Sequence, residues 1–145
     1  MLYFDTSYLV RLYLDDPGFK QVRAKAESAT AICSAWHAQA EIVSAIHRTF
    51  RERDLDQGAF LALLEQFASD SKGGLFQWLP LTERIQQRLE TAYRRAPGTI
   101  FLRAADALHL ACAAENDFNE VHSNDGHFLA AAPLFGLKGV NVIPG

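Results

Sequence analysis

The sequence predicts an α/β fold, namely a three-layer α/β/α sandwich with a short central parallel sheet. Short apolar runs alternate along the chain with longer segments of helical period, which is the pattern of strands joined by crossover helices. Strands of this kind are covered by helices on both faces of the sheet. With 145 residues, 49% of them hydrophobic, the chain can build one substantial core and is predicted to form a single domain, residues 1–145.

Five short apolar runs are predicted as strands. They cover residues 2–4, 30–34, 75–79, 120–123 and 138–143. After the first run, Thr6-Ser7 turns the chain into a helix. Ser34 ends the second run and is predicted to cap the helix that follows it. Gly73-Gly74 precedes the third run, and the turn Asn124-Asp125-Gly126 follows the fourth.

Seven segments are predicted as helices. Four of them cover residues 19–28, 35–53, 101–116 and 127–135, and three more begin near Thr6, Asp56 and Thr82. Asp and Thr are common N-cap residues, and Pro133 should keep the last helix short or irregular. Apolar side chains spaced by three and four predict the core-facing stripe of the helix 35–53. The stripe consists of Trp36, Ala40, Val43, Ile46 and Phe50, with Ile42 and Ala45 beside it.

Composition excludes several classes of protein. The formal net charge is −3, so any contact with nucleic acid must come from local arginine clusters rather than from a basic surface as a whole. Cys33 and Cys112 lie in apolar segments without metal-type spacing, which predicts buried free thiols. No apolar run approaches the roughly 18–20 residues of a membrane-spanning helix, and no basic segment precedes the first strand. The chain is therefore expected to be cytoplasmic.

Four carboxylates stand where a charge is costly. Asp5 and Asp125 stand just past predicted strands, so both should lie at the carboxyl edge of the sheet, where open α/β sheets bind ligands. Glu41 and Asp106 are each the only acid in an apolar stretch of a predicted helix. One shared pocket would account for all four. Their mutual repulsion then calls for divalent cations, and ligand sets made of oxygen suit Mg²⁺ or Mn²⁺.

Each acid also has an explanation that needs no metal ion. These are a helix cap for Asp5 and for Asp125, an ion pair with Arg48 or another arginine for Glu41, and an ion pair with Arg103 for Asp106. All of them would have to hold together, which favours the shared pocket. A transition-metal site with histidine ligands is a further alternative, because His109 is one turn from Asp106 and His127 is two residues from Asp125.

In four segments the sequence resembles the PIN-domain family, in particular the VapC-type toxins of bacterial toxin–antitoxin pairs. The segments are Phe4-Asp5-Thr6-Ser7, Ala40-Glu41-Ile42, Arg103-Ala104-Ala105-Asp106-Ala107-Leu108-His109-Leu110-Ala111 and Ser123-Asn124-Asp125-Gly126-His127-Phe128. In this order and spacing they cover essentially the whole chain. The acidic quartet of the family falls on the four acids named above. Ser123 stands where the family usually has Thr, so the hydroxyl is kept.

The resemblance implies a Mg²⁺- or Mn²⁺-dependent endoribonuclease. Asp5 and Asp106 are then expected as central catalytic metal ligands, with Glu41 and Asp125 as direct or water-mediated ligands. The hydroxyl groups that would hold these ligands in place are those of Thr6, Ser7 and Ser123. The candidates for phosphate contacts are Arg51, Arg94, Arg95 and Arg103.

Other functions remain as alternatives. A Mg²⁺-dependent phosphatase of the haloacid dehalogenase type also uses an Asp at a strand end, but Ser7 stands where that class needs a second Asp. A receiver domain needs adjacent acids at the end of its first strand and a late lysine at the site, and this sequence shows neither feature. An inactive PIN module that binds only RNA or a protein partner is disfavoured because all four acids are present.

The resemblance also implies an antitoxin partner and a homodimer. The first helix and the helical hairpin within residues 35–69 carry more apolar positions than one thin sheet face can cover. These positions are Leu9, Tyr13, Leu55, Phe60, Leu64 and Phe67. An antitoxin arginine that reached the acids would compete with the metal and inhibit the toxin. The alternative is that these side chains belong to the core.

Overall fold

The computed structural model describes all residues from Met1 to Gly145 and alternates strands with helices as predicted. The strands are β1 (Leu2–Tyr3), β2 (Ile32–Ala35), β3 (Phe76–Leu79), β4 (Glu120–His122) and β5 (Lys138–Val140). The helices are α1 (Thr6–Val10), α2 (Phe19–Glu27), α3 (Ala38–Arg51), α4 (Gln57–Lys72), α5 (Glu83–Arg95), α6 (Ala104–Glu115) and α7 (Gly126–Ala131). A 3₁₀ turn (Ala132–Phe135) that contains Pro133 follows α7, so the last helix is short.

All strand pairings are parallel. β2 pairs with β1 and with β3, β4 pairs with β5, and a single bridge from Phe4 to His122 joins β1 to β4. The order across the sheet is therefore β3-β2-β1-β4-β5. The chain reverses its direction of progress between β1 and β4, and ligands of open α/β sheets bind at such a switch point. Ser123 directly follows β4, and Asp5 follows the bridging residue Phe4 at the end of β1.

The core has two parts, one on each face of the sheet. Tyr3 belongs to a cluster built with α5, α6 and α7, whereas the next residue, Phe4, belongs to a cluster built with helices α1 to α4. Successive side chains of a strand point to opposite faces, which explains this division. The predicted three-layer α/β/α architecture is confirmed. Cys33 and Cys112 are free and buried, as expected.

Four helices begin after a side chain that accepts a backbone N–H. These residues are Asp5 before α1, Asp56 before α4, Thr82 before α5 and Asp125 before α7. Each satisfies a donor that the first turn of the helix would otherwise leave unpaired. The caps predicted at Asp56 and Thr82 are confirmed.

The face of α3 that packs against the core matches the predicted stripe only in part, at Ile46 and at Ile42 beside it. The helix begins three residues later than predicted, and its buried side chains are Ala38, Ile42 and Ile46. Val43 is 42% exposed, and Trp36, which precedes the helix, is 59% exposed. Two apolar stripes lie side by side on this helix. Periodicity alone could not decide which one the neighbouring helices would cover.

Two local predictions are also wrong. Ser34 does not cap a helix, because β2 continues past it and its Oγ donates to the carbonyl oxygen of Phe4 at 2.7 Å. The N-cap position of α3 is His37, which makes no capping hydrogen bond through its side chain. Phe101 lies before α6 rather than inside it and is 56% exposed. At both places tertiary contacts override the local sequence signal, which was a cap at Ser34 and a helix start at Phe101.

The six apolar residues predicted to form a partner surface are less exposed than expected. Leu9 and Phe67 are buried in the core, whereas Tyr13, Leu55, Phe60 and Leu64 are half-buried. An open groove of about 820 Å³ lies between α3 and α4, and we call it the α3–α4 groove. Its apolar lining is Ala40, Val43, Phe60, Leu64, Phe67 and Ala68. None of the helices has the length and apolar character needed to cross a membrane.

Candidate metal centre

Asp5 lies between β1 and α1 at the carboxyl edge of the sheet. Its Oδ1 accepts hydrogen bonds from the N–H of Tyr8 at 3.2 Å and from Ser7 Oγ at 2.7 Å, and its Oδ2 accepts one from Ser123 Oγ at 2.5 Å. Burial raises the pKa of Asp5 above its ordinary value, although His109 and these donors act in the opposite direction. Asp5 therefore caps α1 with one oxygen and contacts the neighbouring strand end with the other.

Ser123 connects the two acids that follow strands. The N–H of Asp5 donates to the carbonyl oxygen of His122 at 3.0 Å, which places β1 beside β4. The buried Ser123 Oγ donates to Asp5 and accepts the N–H of Asp125 at 2.9 Å. Ser7 Oγ accepts the N–H of the residue before Asp125 at 3.0 Å. These bonds hold the loops after β1 and β4 together, as the strand-end positions of the acids had predicted.

Arg103 bridges Asp106 and Asp125. Its guanidinium lies 3.1 Å from Asp106 Oδ2 and also donates to Asp125 Oδ2. Asp125 Oδ1 accepts the N–H groups of His127 and Phe128 at the start of α7. Burial raises the pKa of Asp106; Arg103 counteracts this rise, and the negative charge of Asp125 adds to it. The ion pair of Asp106 and the cap of Asp125, considered above as alternatives, are both present.

Glu41 contacts two histidines and a hydroxyl group rather than Arg48. Its Oε1 accepts a hydrogen bond from Thr6 Oγ1 at 2.7 Å and lies 3.0 Å from His109 Nε2 and 3.4 Å from His37 Nε2. Burial alone would raise the pKa of Glu41. The hydrogen bond and charge of His109, together with the Thr6 hydroxyl, hold the pKa below its ordinary value. Arg48 and Glu41 both line a separate pocket between α1 and α3, but they form no ion pair.

His109 lies on the same helix as Asp106 and contacts Glu41 on α3. It lies one turn after Asp106 on α6, and its buried ring places Nδ1 2.8 Å from the hydroxyl of Tyr3 and Nε2 against Glu41. The ring of His37 lies 4.3 Å from that of His109. Burial lowers the pKa of His37, and His109 lowers it further, which favours the neutral imidazole.

Sequence reasoning missed His37 and Tyr3. The available signal for His37 was its spacing of four from Glu41, which puts the two side chains on one helical face. The alternative metal site considered from the sequence instead placed His109 with Asp106 and His127 with Asp125. His109 contacts Glu41 rather than Asp106, and His127 is exposed and packs edge-on against Phe101.

Only one of the four candidate arginines contacts the acids. That residue is Arg103. Arg95 donates to the carbonyl oxygen of Leu134 at 3.1 Å, and Arg51 and Arg94 are exposed without an ion pair. The phosphate contacts suggested for Arg51, Arg94 and Arg95 stay predictions.

The donor types around Asp5, Asp106 and Asp125 fit a divalent cation, with Asp106 and Asp125 sharing one guanidinium and Asp5 joined to Asp125 through the Ser123 hydroxyl. These three residues present carboxylate oxygens, the ligand type that Mg²⁺ and Mn²⁺ take. The guanidinium of Arg103 between Asp106 and Asp125 shows that one cationic group can be shared by these two carboxylates. Asp5 is buried without any ion pair, a costly arrangement that a nearby cation would relieve.

Comparison with known proteins identifies the family. The family model described as PIN domain matches residues 2–133, whereas a search of curated proteins finds no significant match. VapC20, the sarcin–ricin loop-cleaving toxin of Mycobacterium tuberculosis, has a TM-score of 0.68 at 16% identity, covering 90% of this chain and 95% of that one.

Two further solved structures share the fold. FitAcB from Neisseria gonorrhoeae has a TM-score of 0.74 at 18% identity over 98% of each chain. FitAB bound to an IR36 DNA fragment has a TM-score of 0.71 at 15% identity, covering 100% of this chain and 97% of that one. At such identities the structural likeness shows the fold alone. The family match, which spans most of the sequence, establishes that this chain belongs to the PIN-domain family.

Proposed function

We propose that this protein is a Mg²⁺- or Mn²⁺-dependent endoribonuclease that acts as the toxin of a toxin–antitoxin pair in the cytoplasm. The observation that carries the proposal is the contact network at the switch point of the sheet, which links Asp5 to Asp125 through Ser123 and Asp125 to Asp106 through Arg103. Glu41 is held beside this network by Thr6, the residue that follows Asp5. Membership of the PIN family supports nuclease chemistry. The likeness to VapC20, a toxin that cleaves the sarcin–ricin loop, supports RNA as the substrate.

In this proposal Asp5 and Asp106 are the central metal ligands. Asp125 and Glu41 bind the metal directly or through water, and one of the carboxylates orients the attacking water. The chemistry that Mg²⁺ supplies at such a site is activation of water for in-line attack on phosphorus and stabilisation of the leaving oxygen.

The hydroxyl groups around the site position these ligands. Ser7 and Ser123 hold the two oxygens of Asp5, and Thr6 holds Glu41. Hydrogen bonds of this kind fix the direction of each carboxylate before the metal binds.

Arginine side chains supply the proposed phosphate contacts. Arg103 would exchange the two carboxylates for the substrate phosphate, because a divalent cation at the acids makes its present place unfavourable. Arg51, Arg94 and Arg95 remain candidates for contacts further along the RNA. With a net charge of −3, such local contacts must provide the attraction.

An RNA cleavage assay with purified protein tests the proposal. Cleavage should need Mg²⁺ or Mn²⁺, stop on addition of EDTA, and fall at least about 100-fold in Asp5→Asn, since a metal of this kind contributes several kcal/mol. Glu65→Gln, a change of an exposed acid on α4, is the matched control and should cleave like the parent. Equal cleavage by Asp5→Asn and the parent would rule out the acidic site.

A PIN module that only binds partners is the second candidate. It is kept because FitAB, which shares the fold, is known bound to DNA. The same assay separates the two functions, since an inactive module would bind nucleic acid without metal-dependent cleavage. A Mg²⁺-dependent phosphatase would instead release inorganic phosphate from a monoester.

We also propose a homodimer and an antitoxin partner. The support is the α3–α4 groove, where Val43 is 42% exposed and the half-buried Phe60 and Leu64 form the wall. Exposed apolar surface of this kind commonly marks an interface. An amphipathic segment of an antitoxin, or the same face of a second copy, would cover it.

A further inference from the structure

We propose that His37, Glu41 and His109 form a site for a transition-metal cation of the Zn²⁺ class, which adjoins the acidic site and shares Glu41 with it. One ligand atom from each residue lies within 4.8 Å of the other two. The Nε2 atoms of His109 and His37 are 3.0 Å and 3.4 Å from the same oxygen of Glu41. Donor atoms around a four-coordinate Zn²⁺ lie about 3.3 Å apart, given bonds of about 2.0–2.1 Å. The cluster is therefore close to the spacing that one such ion requires.

The donors come from two packed elements rather than from a flexible surface. His37 and Glu41 are one turn apart at the start of α3, where side chains spaced by four share a face. His109 reaches them from α6 and its side chain is only 2% exposed, while that of Glu41 is 33% exposed. The site thus has a fixed wall at His109 and an open side at Glu41, through which a cation can enter.

The donor types select a different cation from the one proposed at the acids. Two imidazole nitrogens and one carboxylate oxygen suit Zn²⁺ and related late first-row ions, whereas Mg²⁺ takes oxygen ligands. Thr6 Oγ1 lies 2.7 Å from Glu41 Oε1 and 3.2 Å from His109 Nε2. This hydroxyl can orient a water molecule in the fourth position of a three-ligand site.

The two rings are held differently. The Nδ1 atom of His109 lies 2.8 Å from the hydroxyl of Tyr3, a contact that fixes the ring with Nε2 directed at Glu41. His37 Nε2 also lies 3.1 Å from the carbonyl oxygen of Ala105, a hydrogen bond that it would give up on binding the cation, and its Nδ1, which has no partner in the protein, could then carry the proton.

Cobalt and zinc titrations of the full chain test the site without relying on the proposed ribonuclease activity. One equivalent of Co²⁺ should give the intense visible absorption of a low-coordinate nitrogen and oxygen site, and the Co²⁺ should be displaced by Zn²⁺ but not by excess Mg²⁺. His37→Gln removes one ligand, so Zn²⁺ affinity measured by calorimetry should fall at least about 100-fold. His127→Gln, a change of an exposed histidine outside the cluster, is the matched control and should bind like the parent.

Two further variants distinguish cation binding at the histidines from cation binding at the acidic site. His109→Gln should also abolish the Co²⁺ absorption, with circular dichroism to verify the fold because this residue is buried. Asp5→Asn should retain Zn²⁺ binding even where RNA cleavage is lost. Unchanged Zn²⁺ affinity in His37→Gln, or its loss in Asp5→Asn, would overturn the inference. A parent protein that binds Zn²⁺ through His37 but cleaves no RNA would leave the inference standing and refute the proposed function.

Discussion

Among single residues, Asp5 is a buried carboxylate held by hydrogen-bond donors instead of a countercharge. Ser7, Tyr8 and Ser123 supply these donors. The Ser123 hydroxyl contributes most to the geometry, because it also accepts the N–H of Asp125. One buried hydroxyl thus fixes the positions of two acids that belong to different strand ends.

We expect Ser123→Ala to weaken Mg²⁺ binding about 10- to 100-fold, as the loss of a hydrogen bond to a ligand typically does. The pKa of Asp5 should rise further, because this donor lowers it. Ser123→Thr keeps the hydroxyl and should bind Mg²⁺ nearly as tightly as the parent. Calorimetry measures both affinities, and equal binding by Ser123→Ala and the parent would contradict this role.

Arg103 occupies the place between two proposed metal ligands. We expect Arg103→Ala to tighten Mg²⁺ binding, by no more than about fivefold because the guanidinium is half exposed. RNA affinity should fall at the same time if Arg103 contacts phosphate. Arg84→Ala, which removes an exposed arginine paired with Glu115 on α6, is the matched control. Weaker Mg²⁺ binding by Arg103→Ala would show that the arginine organises the acids rather than competing for them.

On the scale of elements, α3 carries two adjacent apolar stripes with different surroundings. Ile42 is fully buried and Val43 is 42% exposed. Ile42→Ala should lower the free energy of unfolding by about 2–5 kcal/mol, as cavity-forming changes in cores do. Val43→Ala should change it by no more than about 0.5 kcal/mol. Urea unfolding measures both values, and equal effects of the two changes would mean that a different face of α3 meets the core.

The start of α6 makes stability depend on pH through Asp106. Its folded-state pKa is raised above the ordinary value of 3.8, mainly by burial, so the folded protein holds this proton more tightly than the unfolded chain. The stability that this proton contributes is fully present below pH 3.8 and is lost as the pH rises through the folded-state pKa.

Asp106→Asn cannot ionise, so this variant should not lose stability as the pH rises through the folded-state pKa of Asp106. With EDTA present, its melting temperature should exceed that of the parent at pH 7, and the difference should vanish below pH 3.8. RNA cleavage with Mg²⁺ should fall at least about 100-fold. A large drop in melting temperature at pH 7 would instead show that the ion pair with Arg103 is the main role of Asp106.

For the whole molecule, one face of the α3 and α4 pair is left without a cover from the chain itself. If the α3–α4 groove is the dimer interface, Val43→Glu and Phe60→Glu should each convert a dimer into a monomer, because a charge would be buried at the contact. Light scattering at tens of micromolar protein gives the mass. A parent that is monomeric at this concentration would refute the homodimer, and binding of an antitoxin segment would then have to be tested separately.

Much of the fold could be predicted because its signals are local. Short apolar runs that end at Asp5 and at Ser123 mark strands, and Asp56 and Thr82 mark helix starts by their capping chemistry. The convergence of Asp5 and Asp125 could also be predicted, because carboxyl ends of parallel strands meet at one edge. Isolated acids in apolar helices pointed to Glu41 and Asp106 through the cost of burying a charge.

The α/β class, the acids at the strand ends and the hydroxyl groups beside them follow from residue type and spacing along the chain. The contacts of Glu41 with His37 and His109, and the position of Arg103 between Asp106 and Asp125, come instead from tertiary packing. These contacts join α3 to α6 and α6 to the loop after β4. The distance between such side chains depends on how helices pack across the sheet, and no periodicity within one segment encodes that packing.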